Sequence, residues 1–195
     1  MIDVISKTCN NEWCDTHSTN KYEGYCVFCY VNMFPDKPLS RNYKTKEISV
    51  RDFVISEFPE FDWISDKTIK EGCSKRRPDI YLDLGYQVII IEIDENQHID
   101  YENSCEVKRT LQLSQDIGHR PLLFIRFNPD KYVKNGENIT SCWAPDKNGI
   151  VKIKKSKQKE WKERLNTLKK TIQFHIDEDN QTEKTIEVER LFYDE

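Results

Sequence analysis

A chain of 195 residues, 37% hydrophobic and 33% charged, has room for one ordinary domain plus a small module, and can build a core without disulfide staples. No apolar run approaches the ~20 residues that a membrane span needs, so no membrane role is expected. The formal charge of −4 conceals two opposed blocks: ten Lys or Arg against two Glu from Lys147 to Lys170, then eight Asp or Glu against two cations from Ile176 to Glu195. A basic segment before an acidic tail suits a protein that meets a polyanion, and solvated helix faces give the same pattern.

The N-terminal "MIDVISKTCNNEWC" lacks the basic start and apolar core of a secretory signal, so an intracellular, reducing compartment is expected. Cys9, Cys14, Cys26 and Cys29 then form C-x4-C-x11-C-x2-C within twenty-one residues. Two close pairs joined by a short loop can present four thiolates tetrahedrally to a structural zinc, which supplies the folding energy so short a segment lacks. Four such cysteines in so small a segment are specific to metal, against the alternative of small buried hydrophobes. His17 is an alternate ligand. Cys73, Cys105 and Cys142 have no paired spacing and read as buried free thiols. The cluster "FPDKP" closes this module at residues 1–38.

Ser49 to Phe58 carries Val50, Phe53, Val54 and Phe58 at helical spacing, opens on the capping-type "SVRD" and stops at Pro59. Glu57 falls near its apolar face. Next, "DIYLDL" and "QVIIIEID" are two β-rich runs separated by "GY", a tight hairpin with Gly85 in the turn. With Gly85 and Tyr86 as the loop, Leu84 faces Gln87 and Asp79 faces Glu92, with β-carbons about 5 Å apart. Side chains alternate along a strand, so Asp94 shares the face of Glu92 while Ile89, Ile91 and Ile93 take the other. Three carboxylates converging among apolar residues need a compensating partner, and a divalent cation is the simplest one. Magnesium or manganese in such a cup retains open positions for a phosphate oxygen and a water. The alternative leaves Asp79 and Asp94 as solvated strand ends.

Pro78-Asp79, the hairpin and Glu92-x-Asp94 resemble the "PD…(D/E)xK" signature of the PD-(D/E)XK nuclease superfamily, with Asp94 where the signature has lysine. "IEIDENQH", then Tyr101, Glu106 and Arg109 on a helix, then "GHRPLLFIRFNPD", is similar to the branch of the very-short-patch-repair endonuclease. The resemblance covers Ser49 to about Tyr132. It implies a restriction-endonuclease-like α/β fold, a mixed β-sheet core flanked by helices, and a metal-dependent nuclease acting on DNA. Asp79 and Glu92 would be metal ligands, Asp94 a third acid and His98 the acid/base group, while Glu57 matches a glutamate that members aim at the metal from the preceding helix. Lys75 or Lys108 would substitute for the missing lysine, with Gln97 orienting a water or touching a phosphate. Loss of that lysine also occurs in inactive members, so a catalytically inactive DNA-binding or regulatory protein is the alternative.

Tyr101 to Ile117 reads as the next helix and "RPLLFIRF" as a central strand parallel to "QVIIIEID". Arg109 and Arg126 either meet phosphates or pair with the core acids. Ser156 to Phe174 places Trp161, Leu165, Leu168 and Ile172 on one face of a basic amphipathic helix. Lys108, Arg109, Lys154, Lys155 and Lys157 are the candidate nucleic-acid contacts, with the zinc module and Lys152 to Lys170 expected to hold the strand. His119 and His175 read as ordinary structural histidines. The expected organisation is a zinc module at 1–38, a nuclease-like domain at 39–175 that includes the C-terminal helix, and an acidic tail at 176–195. A third reading is a zinc-module protein-interaction adaptor whose basic helix and acidic tail serve protein partners. The Asn-, Lys- and Ile-rich composition suits an AT-rich genome, and the resemblance points to a large DNA virus or its host, hence to cytoplasm or nucleus.

Overall fold

The computed structural model describes residues 8–16, 18, 22–34, 45–98, 103–145 and 151–195, so His17 and Tyr101 lie outside the described residues, as does the side chain of His98. The chain divides into two compact units, Met1–Arg41 and Asn42–Glu195. The division falls three residues beyond the expected boundary at Pro38.

The small unit is a cysteine-bearing turn followed by helix α1, Val27–Met33. Backbone bonds from Cys9 to Thr16 (2.9 Å), Asn10 to Gly24 (2.9 Å) and Cys14 to Asn11 (2.9 Å) fold the chain back on itself. Gly24 sits at φ +86°, and a β-carbon there would collide with the Asn10 side chain, so only glycine fits. The Cys26 side chain caps α1. Tyr30 packs on Tyr22 and Phe34, with ring centroids 5.4 and 5.1 Å apart, a core too small to hold such a segment without further ties.

The large unit is α/β. Helix α2 (Thr45–Glu57) leads into strands β1 (Ile64–Ser65), β2 (Ile80–Asp83) and β3 (Val88–Ile93). Helix α3 (Asn103–Asp116) and strand β4 (Leu122–Phe127) follow. Two small hairpins come next, β5 (Tyr132–Lys134) with β6 (Glu137–Ile139), and β7 (Trp143–Pro145) with β8 (Val151–Ile153). Helix α4 (Gln158–Ile176) and strand β9 (Ile186–Leu191) complete the order. The main sheet runs β1-β2-β3-β4-β9; β1, β2 and β3 pair antiparallel, whereas β4 is parallel to both β3 and β9.

Three expectations shift. Helix α2 begins four residues before Ser49, and "SVRD" lies inside it rather than capping it. Cys73 and Cys105 are exposed, and only Cys142 of the three lone cysteines is buried. The stretch 176–195 is no acidic tail in this fold. Ile186, Val188 and Glu189 belong to a strand on β4, and its acids alternate with apolar residues as an edge strand requires.

The hairpin register follows the turn. Leu84 N–H donates to Gln87 O at 3.0 Å, Gly85 takes φ +83°, and Ile80 pairs with Ile91. Arg120 clamps this turn through two bonds to Asp83, both 2.7 Å, and one to Gly85 O. The sheet then separates two apolar layers. Ile89, Ile91 and Ile93 pack with Val50 and Val54 of α2 and with Trp161, Leu165, Leu168 and Ile172 of α4. Val88 and Ile90 pack with Leu113 of α3. Each fully buried aliphatic side chain contributes about 1.5–3 kcal/mol, so both layers anchor the hairpin firmly. By alternation, Asp79, Glu92 and Asp94 lie on the α3 side.

Candidate functional site

The four cysteine sulfurs Cys9, Cys14, Cys26 and Cys29 all lie within 4.8 Å of one another. A tetrahedral zinc with Zn–S near 2.3 Å sets its sulfurs about 3.8 Å apart, and Cys14 and Cys26 Sγ are 3.7 Å apart. The donor set therefore fits a structural zinc with no position left for substrate. Backbone N–H groups of Cys26 and Cys29 donate to Cys9 Sγ (3.1 Å) and Cys26 Sγ (3.4 Å), and Asn11 Nδ2 donates to Cys29 Sγ at 3.2 Å. Such bonds stabilise thiolate character. Bonds from Thr16 bring the Cys14 thiol down to about 7. Although the Asn11 bond works downwards on Cys29, burial and the neighbouring thiols push it up to about 12.

The acids of the large unit divide into two groups. Glu92 is 7% exposed and accepts from one Arg109 nitrogen at 2.8 and 3.1 Å. Its carboxyl is pushed up to about 8 by burial and by the charge of Asp79, which Arg109 only partly offsets. Across the hairpin, Asp79 accepts from the Ile93 N–H at 2.8 Å.

Asp94 is fully buried, and its charge also acts upwards on Glu92. Arg126 and the Tyr193 hydroxyl both donate to its carboxylate, and Arg126 also forks onto Glu106 at 2.7 and 2.8 Å. Burial works against the Arg126 charge, yet the bonds to Asp94 and Glu106 hold it cationic. Burial and the Asp94 charge raise the Tyr193 hydroxyl, which keeps it a donor. Among the described residues, the acids do not form a group of ligand atoms within 4.8 Å as the cysteines do. The three acids therefore do not close into one tight cup: Asp79 and Glu92 face each other across the hairpin, while Arg126 and Tyr193 both engage Oδ2 of Asp94.

Other expected site residues take other partners. Glu57 is ion-paired with Lys169 of α4, on the opposite side of the sheet from Glu92. Gln97, at φ +57°, exchanges bonds with Asp194 at 2.8 and 3.0 Å, so its amide is engaged by the strand-β9 segment. Lys75 is exposed at φ +58°. Lys154 donates to Ser141 O at 2.8 Å and Lys157 to Glu160 at 2.5 Å, while Lys108 and Lys155 face solvent. Arg109 is committed to Glu92 and to Arg77 O. His119 Nδ1 lies 3.4 Å from Ser114 Oγ, and His175 pairs with Glu189 at 3.1 Å.

Two networks join residues far apart in sequence, with no local pattern to mark them. Tyr193 follows a strand hidden by its acids. Lys46 binds Asp130 at 2.7 and 2.8 Å and Glu95 at 3.1 Å, tying α2 to the loops beyond β3 and β4. Comparison with protein-family models, curated proteins and solved structures finds no match to this chain. No described helix is long and apolar enough to cross a membrane.

Proposed function

We propose that the large unit hydrolyses DNA phosphodiester bonds, as a restriction-endonuclease-like nuclease that uses magnesium or manganese on Asp79 and Glu92. The observation that carries this reading is the apposition of those two carboxylates across the β2–β3 hairpin, with Glu92 buried and the Arg109 charge only partly offsetting burial and Asp79. A divalent cation relieves that deficit with oxygen ligands. When bound, the ion would polarise the phosphate and lower the pKa of an attacking water.

The chain's own residues divide the remaining work. Arg109, 32% exposed, is placed to exchange Glu92 for a phosphate oxygen. His98, four residues beyond Asp94, would protonate the leaving oxygen. Asp94, Arg126, Glu106 and Tyr193 hold the end of β3 against α3 and β4 rather than meeting substrate. Lys108 and Lys155 remain available to a phosphate backbone.

A second reading is a nuclease-fold DNA-binding protein without activity. The Arg109 pair favours it, because a cation already sits on Glu92, and so does Asp94 in the lysine position. Cleavage of labelled linear, circular and branched DNA, with magnesium, manganese or EDTA, separates the two. Metal-dependent cutting lost in both Asp79→Ala and Glu92→Ala supports the nuclease. DNA retained but never cut supports the binding protein.

A further inference from the structure

We propose that the cysteine module is a docking site for a basic protein segment, with Trp13 as its anchor. Trp13 is 92% exposed, the most exposed large hydrophobic side chain among the described residues. It stands on a turn that is tied down rather than loose. Cys14 N–H donates to Asn11 O at 2.9 Å, and Trp13 N–H donates to Asn11 Oδ1 at 3.3 Å. The other end of the same side chain, Asn11 Nδ2, donates to Cys29 Sγ at 3.2 Å. Asn11 therefore couples the sulfur cluster to the backbone that presents the indole. A large aromatic carried on a backbone fixed in advance needs little further backbone ordering on contact, which favours its use as an interface anchor.

The surroundings select the partner. Glu12 and Asp15, both exposed, flank Trp13. Residues 1–38 carry five acids against three lysines, and a divalent ion on four thiolates adds two further negative charges. A nucleic-acid backbone would be repelled here. A lysine or arginine finds an indole face for cation–π contact and carboxylates for its charge. The module thus serves protein contact, whereas the exposed lysines Lys108 and Lys155 belong to the other unit. This inference does not depend on nuclease activity.

The test titrates full-length, zinc-loaded protein against a labelled Arg-rich peptide, a Glu-rich control peptide and a single-stranded oligonucleotide. The Arg-rich peptide should bind, Trp13→Ala should weaken it about tenfold, and Glu12→Gln with Asp15→Asn should remove its salt dependence. Chelating the zinc should abolish the Trp13 contribution. Zinc content reports whether Trp13→Ala still folds; should it fall, Trp13→Phe and the charge variants, which keep the turn's shape, carry the test. Peptide binding indifferent to Trp13 and to both acids overturns the proposal. So does a Trp13 substitution that weakens the oligonucleotide and spares the peptide.

Discussion

Arg109 bridges from helix α3 to strand β3, giving one nitrogen to both oxygens of Glu92 at 2.8 and 3.1 Å. It is the compensating partner that a buried carboxylate demands. Arg109→Gln should therefore destabilise the large unit by about 1–3 kcal/mol at neutral pH, the range for leaving a buried polar group unpaired. The smaller end is expected because the arginine is partly exposed and screened. Chemical denaturation of the two proteins checks it, and an unchanged midpoint would mean that water serves Glu92 as well as Arg109 does.

Glu92 also sets a pH dependence. Its carboxyl ordinarily titrates at 4.5, and the fold raises it to about 8. Between those values the folded state holds a proton that the unfolded state has lost, so stability is full below pH 4.5 and falls as pH rises towards about 8. Glu92→Gln should flatten this slope and leave the variant more stable than wild type above pH 8. Thermal unfolding across that window decides the matter. If Asp79 and Glu92 hold a divalent ion, added magnesium should raise the wild-type melting temperature most at the alkaline end, and not in Asp79→Asn.

Much of this arrangement is legible in the sequence. The "GY" loop fixed which residues of β2 and β3 face each other, and helical spacing identified Trp161, Leu165, Leu168 and Ile172, all buried. Period and turn chemistry are local, so the sequence displays them. The partners of the acids are not local. Arg109 is seventeen residues from Glu92 and Tyr193 ninety-nine from Asp94, and no pattern states which cation reaches which carboxylate. Strand β9 was hidden for a different reason: its charge concealed the alternation of an edge strand.

Asp94 shares its carboxylate with two donors, Arg126 and Tyr193. Asp94→Ala leaves Arg126 at the end of the sheet with one of its two acids gone, and breaking a buried pair costs about 3–5 kcal/mol. Tyr193→Phe removes one hydroxyl donor and should cost about 1–2 kcal/mol. The double variant should cost less than the sum, because both changes act on one carboxylate. Additive losses in a double-mutant cycle would show that Tyr193 holds β9 by packing rather than through Asp94.

The cysteine module offers a test of metal dependence that leaves the acids untouched. A core of Tyr22, Tyr30 and Phe34 cannot hold its fold alone, and the Cys26 side chain that caps α1 belongs to the cluster itself. Removing zinc with a chelator, or replacing Cys26 by Ser, should therefore melt α1. Because Met1–Arg41 is a separate compact unit, the main unfolding transition should remain. Protons enter the same balance. Cys14, at about 7, is about half thiolate in neutral solution, whereas Cys29, at about 12, would release its proton only on binding a metal. Zinc affinity should thus rise with pH across neutrality and zinc uptake should acidify an unbuffered solution. Competition against a chelator of known affinity, with the proton release followed by a pH indicator, measures both. Affinity independent of pH would mean that the thiols do not bind the metal as thiolates.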